Sequence, residues 1–148
     1  MSDLFTYDSK TSGSKGLIFI GDRILVYRRD GNTKSYPFCI DLPGGAPEPA
    51  ETPFENYRRE VKEEFGLDIN PEQIVYYKKY PSRIEPGKFT YFPVAQLPEI
   101  EEKNIKFGNE GSEYMLISLE ELLQRTDLAW PYIRDRVKDY LASVSGTV

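Results

Sequence analysis

GAPEPAETPFENYRREVKEEFGL, the stretch from Gly45 to Leu67, predicts one helix with clear start and stop signals. Thr52 is a residue type that caps helix N-termini, and Pro53 is well suited to the first helical position. Glu55, three residues after Thr52, completes a capping box. We expect the helix to end at Gly66, since glycine readily adopts the left-handed conformation of a C-terminal cap.

Two stripes of side chains run along this predicted helix. At about 100° per residue, four apolar side chains share a face that should pack on a core: Phe54, Tyr57, Val61 and Phe65. A neighbouring stripe carries the carboxylates of Glu60, Glu63 and Glu64. Like charges three or four residues apart destabilise a helix by about a few tenths of a kcal/mol per pair. The carboxylate stripe should therefore be stable only when a cation joins it.

The carboxylate stripe is either a solvated acidic face or a metal site. A solvated face should carry lysines at pairing distance, but Lys62 points to another side of the helix. The Leu-Pro-Gly-Gly segment of Leu42–Gly45, just before the helix, also has no explanation if the acidic face is only solvated. The chain contains no histidine and one cysteine, so oxygen ligands favour Mg²⁺, with Mn²⁺ as the alternative, over zinc. These residues indicate metal-assisted transfer of a phosphoryl group to water.

The same stretch fits the pattern G-x5-E-x7-R-E-U-x-E-E-x-G-U, in which U is an aliphatic residue. In this pattern the chain resembles the Nudix (MutT-like) hydrolases, which cut a pyrophosphate linkage inside a nucleoside diphosphate derivative. The resemblance implies an α/β fold, the Nudix-type α/β/α sandwich with a mixed β-sheet between helical layers. It also implies Glu60 and Glu64 as the principal metal ligands, with Glu63 either a further ligand or part of the water-activating machinery. Gly45 would offer its carbonyl oxygen to the metal, and Glu48 falls where relatives often have another glutamate.

The resemblance further implies an ion pair between Arg59 and Glu51 that holds the motif loop against the helix. The fixed positions of the pattern are all intact in this chain. Two looser positions depart from it: Ala50 stands where glycine is common, and Asn56 and Tyr57 stand where small residues are common. We expect these departures to affect packing around the helix more than chemistry.

Residues outside the motif complete the predicted site by the same resemblance. Relatives often draw one more catalytic glutamate from a late loop, for which Glu110 and Glu113 are the candidates. Arg28 and Arg29 follow a predicted strand from which relatives reach substrate phosphates, and Arg83 lies in a loop that can do the same. A solvated acidic loop and ordinary surface bases are the alternatives for these residues.

Length, charge and cysteine content limit the function classes. A chain of 148 residues can bury one hydrophobic core without disulfide or metal cross-links. Its net charge of −5 leaves no basic stripe that could neutralise the phosphate backbone of a nucleic acid. The single cysteine suits a reducing compartment, and no apolar run is long enough to span a membrane. We therefore expect a cytoplasmic protein whose partner is a small nucleotide, with a homodimer left open. The acidic excess lies in residues 97–127, which would suit a segment placed across metal ions from the helix.

The remaining sequence predicts strands and helices in an order that suits a mixed sheet. Residues 1–14 are interpreted as an N-terminal arm and residues 15–148 as a single domain. The predicted elements are a hairpin of strands 17–20 and 24–28 turning at Gly21-Asp22, strands at 38–42, 74–80, 89–97 and 114–118, a helix capped by Ser118, and a helix over 132–142.

Within the hydrolase hypothesis, a nucleotide sugar such as ADP-ribose and a nucleoside triphosphate compete as substrates. The alternative hypothesis is a non-catalytic nucleotide-binding or regulatory module.

Overall fold

One mixed sheet organises the protein, for which the computed structural model describes residues 2–109 and 111–145. Within these residues the sheet has eight strands: β1 Thr11–Lys15, β2 Leu17–Ile20, β3 Arg23–Arg29, β4 Ile40–Asp41, β5 Gly44–Gly45, β6 Ile74–Pro81, β7 Phe89–Leu97 and β8 Gly111–Ile117. The strand order is β4-β3-β2-β7-β1-β5, with β6 paired to β7 and β8 paired to β3. Strand β7 pairs parallel with β1 and β2, and the other pairs are antiparallel.

Helices cover both faces of this sheet. They are α1 Pro53–Phe65, α2 Leu119–Gln124 and α3 Tyr132–Ser145, with 3₁₀ turns at Ser2–Phe5, Pro71–Gln73 and Glu99–Asn104. Side chains alternate along the strands, so that Ile18 and Ile20 of β2 join a core with α1, whereas Leu17 joins a second core with α2 and α3. This arrangement confirms the predicted mixed sheet between helical layers. No helix among the described residues is long and apolar enough to cross a bilayer.

The predicted hairpin and helices are present with small changes at their ends. Strands β2 and β3 turn at Gly21, which has a φ of 65°. The strand predicted at 38–42 is reduced to the two residues of β4, because Tyr36 and Phe38 adopt positive φ values of 51° and 65° that do not fit a strand. Strand β8 begins three residues earlier than expected, and α3 continues three residues further.

The N-terminal segment contributes to the sheet through β1. Leu4 is fully buried, and β1 pairs with both β5 and β7. The sequence predicts no strand here, because Thr11–Lys15 reads TSGSK and shows no alternation of apolar and polar residues. Strand β1 matters for the site, because Ser14 pairs with Gly45 and its Oγ donates to the carbonyl of Pro53 at 3.1 Å. One strand thus fixes both the motif loop and the start of α1.

Candidate active site

Helix α1 has the ends that the sequence predicts. The Thr52 side chain accepts a hydrogen bond from the Glu55 amide at 3.0 Å, and the Glu55 side chain accepts one from the Thr52 amide at 2.9 Å. Gly66 closes the helix with a φ of 70°. The four residues of the predicted apolar stripe are all buried. Because both ends and one face are fixed, the orientation of the carboxylate stripe is fixed too.

The three motif carboxylates lie in different environments. Glu64 is only 2% exposed, and its Oε1 accepts a hydrogen bond from the Gly44 amide at 3.1 Å. The Glu60 side chain is 17% exposed, whereas that of Glu63 is 54% exposed. The stripe therefore extends from the buried motif loop to the solvent.

Gly45 lies directly against the Glu60 carboxylate. A Cβ atom at position 45 would stand 2.5 Å from Glu60 Cδ and 2.7 Å from both carboxylate oxygens. Gly44 also needs to be glycine, since its φ is 138°. The glycine pair thus allows two carboxylates to approach the backbone of the loop. The carbonyl oxygen of Gly45 lies beside Gly13 of β1, and its predicted role as a metal ligand stays a prediction.

Arg59 joins the motif loop to the carboxylate stripe. Its Nε donates to Glu51 Oε2 at 2.7 Å and its Nη2 to Glu51 Oε1 at 3.1 Å, which is the ion pair implied by the resemblance. Nη2 also donates to the carbonyl of Ala46 at 2.9 Å. Nη1 lies 3.2 Å from Glu60 and 3.0 Å from Glu63. The expectation of an uncompensated carboxylate stripe was incomplete, because Arg59 supplies a cation to two of its three members.

The contact between Arg59 and Glu51 shifts the pKa of both groups. The hydrogen bond to Glu51 raises the pKa of Arg59, against an opposing effect of burial. For Glu51, burial alone would raise the pKa, but hydrogen bonds from Arg59 and from the Glu48 amide, with the charge of Arg59, lower it overall. Both groups are therefore held in their charged forms at neutral pH.

The carboxylate oxygens of the motif suit a hard divalent cation, although their side chains are not arranged around a common point. Glu60 and Glu64 present carboxylate oxygens at the Gly44-Gly45 loop, and oxygen ligands are those that Mg²⁺ and Mn²⁺ prefer. Among residues 2–109 and 111–145, no group of three or more His, Cys, Asp or Glu side chains is arranged to hold a metal ion. The contacts of Arg59 with Glu60 and Glu63 give a physical reason, because they draw these carboxylates toward the guanidinium.

The departures from the motif have local structural consequences. Ala50 has a φ of 68°, a conformation that glycine adopts without strain, which explains a preference for glycine at this position. Asn56 is fully buried and its Nδ2 donates to the Ala46 carbonyl at 3.0 Å. Tyr57 is also fully buried and donates to the Leu17 carbonyl at 3.1 Å. Burial and the nearby charge of Glu64 raise the pKa of Tyr57 well above its ordinary value.

The two glutamate candidates outside the motif differ in what the structure describes. Glu110 lies outside the described residues. Glu113 is exposed on β8 and accepts a hydrogen bond from Arg28 Nε at 3.1 Å. Arg28 also donates to the carbonyl of Phe38 at 2.8 Å and lies 3.5 Å from Asp127. The structure thus places Glu113 with a substrate-binding candidate, and the catalytic role of either glutamate stays a prediction.

Arg29 belongs to an ionic cluster that sequence reasoning missed. Asp41, fully buried, accepts hydrogen bonds on Oδ2 from Arg29 Nη1 and from Lys15 Nζ, both at 2.7 Å. Its Oδ1 accepts the amide of Leu42 at 2.8 Å. This cluster ties β1, β3 and β4 together immediately before the glycine loop. Arg29 therefore has a structural partner in addition to its predicted contact with substrate.

A cavity of about 190 Å³ opens beside Gly45. Its lining includes Lys15, Gly45, Arg83, Trp130, Tyr132 and Arg136. Trp130 and Tyr132 stack with ring centroids 6.1 Å apart and planes at 21°. Of the predicted substrate-binding arginines, Arg83 is brought to this cavity, whereas Arg28 and Arg29 are not among its lining residues. The run from Trp130 to Tyr132 is the sequence signal for the aromatic part of this lining, and by itself it predicts only the start of the helix at Tyr132.

The NUDIX domain family matches residues 14–137, and the chain belongs to that family. The chain is therefore a hydrolase that acts on phosphoric anhydride bonds of nucleotide derivatives. No curated protein sequence matches the chain significantly.

Solved structures of similar fold cover nearly the whole chain. A MutT protein from Methanosarcina mazei is 25% identical over 97% of this chain and 100% of its own, with a TM-score of 0.71. The Ap4A hydrolase of C. elegans is 16% identical over 90% of this chain and 98% of its own, with a TM-score of 0.68. A bifunctional NMN adenylyltransferase/ADP ribose pyrophosphatase from Francisella tularensis, solved with AMP and a manganese ion, is 21% identical. It aligns over 92% of this chain and 42% of its own, with a TM-score of 0.67.

Proposed function

We propose that the protein is a Mg²⁺-dependent pyrophosphohydrolase that cleaves the diphosphate linkage of a nucleoside diphosphate derivative, with Mn²⁺ as an alternative metal. The observation that carries this proposal is the approach of Glu60 and Glu64 to the Gly44-Gly45 loop, where Glu64 accepts the Gly44 amide at 3.1 Å. A side chain at position 45 would occupy the place of the Glu60 carboxylate. Because neither glycine carries a Cβ, the loop backbone lies close to both carboxylates, so that their oxygens and a loop carbonyl could bind one cation together.

Glu60 and Glu64 would hold the cation, with the Gly45 carbonyl as a backbone ligand and Glu63 as either a further ligand or part of the water-activating machinery. A divalent cation bound there would neutralise charge on the phosphoryl oxygens and make a bound water more acidic. Arg59 would position this set, because it contacts Glu60, Glu63 and the loop carbonyl of Ala46.

The hydrolysis requires one water and one proton acceptor. The water oxygen forms a bond to one phosphorus, the bridging P–O bond breaks, and each product leaves with its own phosphate. The exposed carboxylate of Glu63 can accept the proton that the water loses, and Glu110 and Glu113 are the other candidates for this role. A carboxylate in solvent contact can then release the proton to bulk water.

A nucleotide sugar such as ADP-ribose and a nucleoside triphosphate are the two substrate candidates. The aromatic and cationic lining of the cavity beside Gly45 suits either, since rings stack on a base and cations bind phosphate. The C. elegans protein is an Ap4A hydrolase and the F. tularensis protein includes an ADP ribose pyrophosphatase, which fits the same range of nucleotides. The alternative, a non-catalytic nucleotide-binding module, is less favoured because all three motif glutamates are retained.

A substrate panel tests the proposal. The purified protein is incubated with nucleotide sugars, dinucleoside polyphosphates and nucleoside triphosphates, with Mg²⁺, with Mn²⁺ and with EDTA, and products are identified by mass. We expect cleavage of at least one compound that EDTA abolishes. Tight binding of a nucleotide without turnover under any metal condition would favour the regulatory module instead.

The predicted cytoplasmic location and the homodimer are separate predictions, and sedimentation measures the latter.

A further inference from the structure

Arg136 is a buried cation on the first turns of α3. Its side chain is only 5% exposed. The guanidinium carbon lies 4.4 Å from the ring centroid of Tyr80 and 4.1 Å from that of Tyr132. Rings at these distances stabilise the cation through cation–π attraction and leave the edge of the planar guanidinium to make hydrogen bonds.

No carboxylate within the described residues forms an ion pair with Arg136. Asp139, on the same helix, is engaged by the Tyr80 hydroxyl at 2.7 Å and by Lys78 at 3.3 Å. The neighbouring cation is Arg83, which also contacts the Tyr132 ring, at 5.5 Å, and has the same charge. Burial lowers the pKa of Arg136, as expected for a cation that lacks an anionic partner. A buried unpaired charge is costly, so such sites are normally completed by an anion.

The two arginines face the cavity that also reaches Gly45 of the catalytic motif. Two further residues of its lining, Thr90 and Trp130, have buried polar atoms, Oγ1 and Nε1, without a hydrogen-bond partner among the described residues. The hydroxyl and the indole N–H can both donate. Among the described residues of the lining, the one acidic side chain is that of Glu85, which is paired with Lys88 at 3.1 Å. The cavity therefore brings two guanidinium groups without an anionic partner close to two buried donors that lack a hydrogen-bond partner among the described residues.

We propose that Arg136 and Arg83 form a binding site for a phosphoryl group of the substrate that lies outside the cleaved linkage. A phosphoryl group brings several acceptor oxygens and up to two negative charges, which match two guanidinium groups and nearby neutral donors. A carboxylate has one charge and two oxygens and would leave donors unused. An uncharged sugar would leave both cations without a counterion.

This site selects between the two substrate candidates, and in that respect it rests on the proposed function. A nucleoside triphosphate or another polyphosphorylated nucleotide can place one phosphoryl group at Arg136 while its cleaved linkage lies at the motif glutamates. A nucleotide sugar such as ADP-ribose has only the two phosphates of the linkage. The enzyme should therefore prefer substrates with at least one additional phosphate.

Binding of inorganic phosphate to the metal-free protein tests the site without reference to turnover. In EDTA, phosphate should raise the melting temperature of the wild-type protein and bind measurably by calorimetry. Arg136→Met and Arg83→Ala should each weaken phosphate binding by about tenfold or more, as expected for loss of a charge-assisted hydrogen bond. Arg136→Lys should also weaken it, because lysine keeps the charge but loses the planar fork. Lys138→Met, an exposed cation on the same helix, is the matched control and should bind phosphate like the wild type.

The outcomes separate this inference from the proposed function. Equal phosphate binding by the wild type, Arg136→Lys and Arg83→Ala would overturn the site, even if Arg136→Met fails to fold. Equal affinity for acetate and phosphate would overturn the choice of a phosphoryl group. In kinetics, Arg83→Ala should raise KM for the triphosphate by about tenfold and raise KM for ADP-ribose clearly less, and an equal rise for both substrates would overturn the preference for an additional phosphate. Phosphate binding that depends on both arginines in a protein without any turnover would refute the enzyme proposal and retain the anion site.

Discussion

Replacing Glu64 by glutamine should separate catalysis from folding. Glu64 is 2% exposed and its Oε1 accepts the Gly44 amide at 3.1 Å. Glutamine has the same shape and keeps a carbonyl oxygen that can accept the same hydrogen bond. What the substitution removes is the negative charge and one of the two oxygens that could bind a cation.

The expected change in stability is small because its contributions oppose one another. A hydrogen bond to a charged group is worth about 1.5–3 kcal/mol and a neutral one about 0.5–1.5 kcal/mol, so the weaker bond costs about 1 kcal/mol. Removing a charge from this buried position and from the neighbourhood of Glu60, four residues earlier, offsets part of that loss. We expect the free energy of unfolding to change by no more than about 1 kcal/mol. Turnover with Mg²⁺ should instead fall by about 10²–10³-fold, the usual effect of losing one group that stabilises developing charge.

Two measurements on the same samples distinguish these effects. Melting temperature is recorded in EDTA and in Mg²⁺, and formation of the two cleavage products is followed by mass with the best substrate of the panel. Metal binding should raise the melting temperature of the wild type, and this rise should be reduced in Glu64→Gln. Glu72→Gln removes an exposed carboxylate elsewhere and should behave like the wild type in both assays.

Two results would refute the reasoning for Glu64. Turnover within about threefold of the wild type would show that its charge takes no part in catalysis. A loss of several kcal/mol of stability in EDTA would instead show that the charge itself stabilises the fold, through the Gly44 amide or another contact.

Three further substitutions test the loop that faces the helix. Gly45→Ala would place a Cβ 2.5 Å from Glu60 Cδ, so we expect the carboxylate to move and Mg²⁺-dependent kcat to fall by about 100-fold, with substrate turnover and metal titration as the checks. Ala50→Gly should relieve the strain of a φ of 68° and stabilise the protein by up to about 1 kcal/mol in urea denaturation, and a clear loss of stability would contradict this. Glu51→Gln should cost about 1–3 kcal/mol at pH 7 through weakening of the pair with Arg59. In the folded protein the pKa of Glu51 is lowered below its ordinary value of 4.5. The wild type should therefore exceed Glu51→Gln in free energy of unfolding by the full amount above pH 4.5, and the difference should shrink as the pH falls below that value. A difference in urea denaturation that stays constant from about pH 7 to about pH 3 would contradict this.

The parts of the fold that depend on local chemistry could be predicted from the sequence. Helix α1 is one example, because Thr52, Glu55 and Gly66 act within one turn of the ends that they define. The hairpin at Gly21 is another, since a two-residue turn brings its own strands together. Strand β5 is different: Gly44-Gly45 has no strand propensity and pairs with β1 because its neighbours place it there.

The cavity beside the motif was beyond sequence reasoning for a related reason. Its donors come from three distant parts of the chain: Arg83 from the loop after β6, Thr90 from β7, and Trp130 with Arg136 from the start of α3. None of them stands in a recognisable spacing, and each alone has an ordinary explanation as a surface base, a strand residue or a helix residue. Only the packing of α3 on the sheet brings them together and shows that Arg136 is buried among rings.

Arg59 explains how a helix can carry three closely spaced carboxylates before any metal is present. From the sequence alone, the repulsion among these carboxylates predicts that a cation must bind to them. The structure supplies one from the chain itself, since Nη1 of Arg59 lies 3.2 Å from Glu60 and 3.0 Å from Glu63 while Nε holds Glu51. The same guanidinium therefore fixes the loop and compensates two of the three carboxylates. A cation that enters has to share Glu60 and Glu63 with Arg59, so the arginine should influence metal affinity as well as geometry.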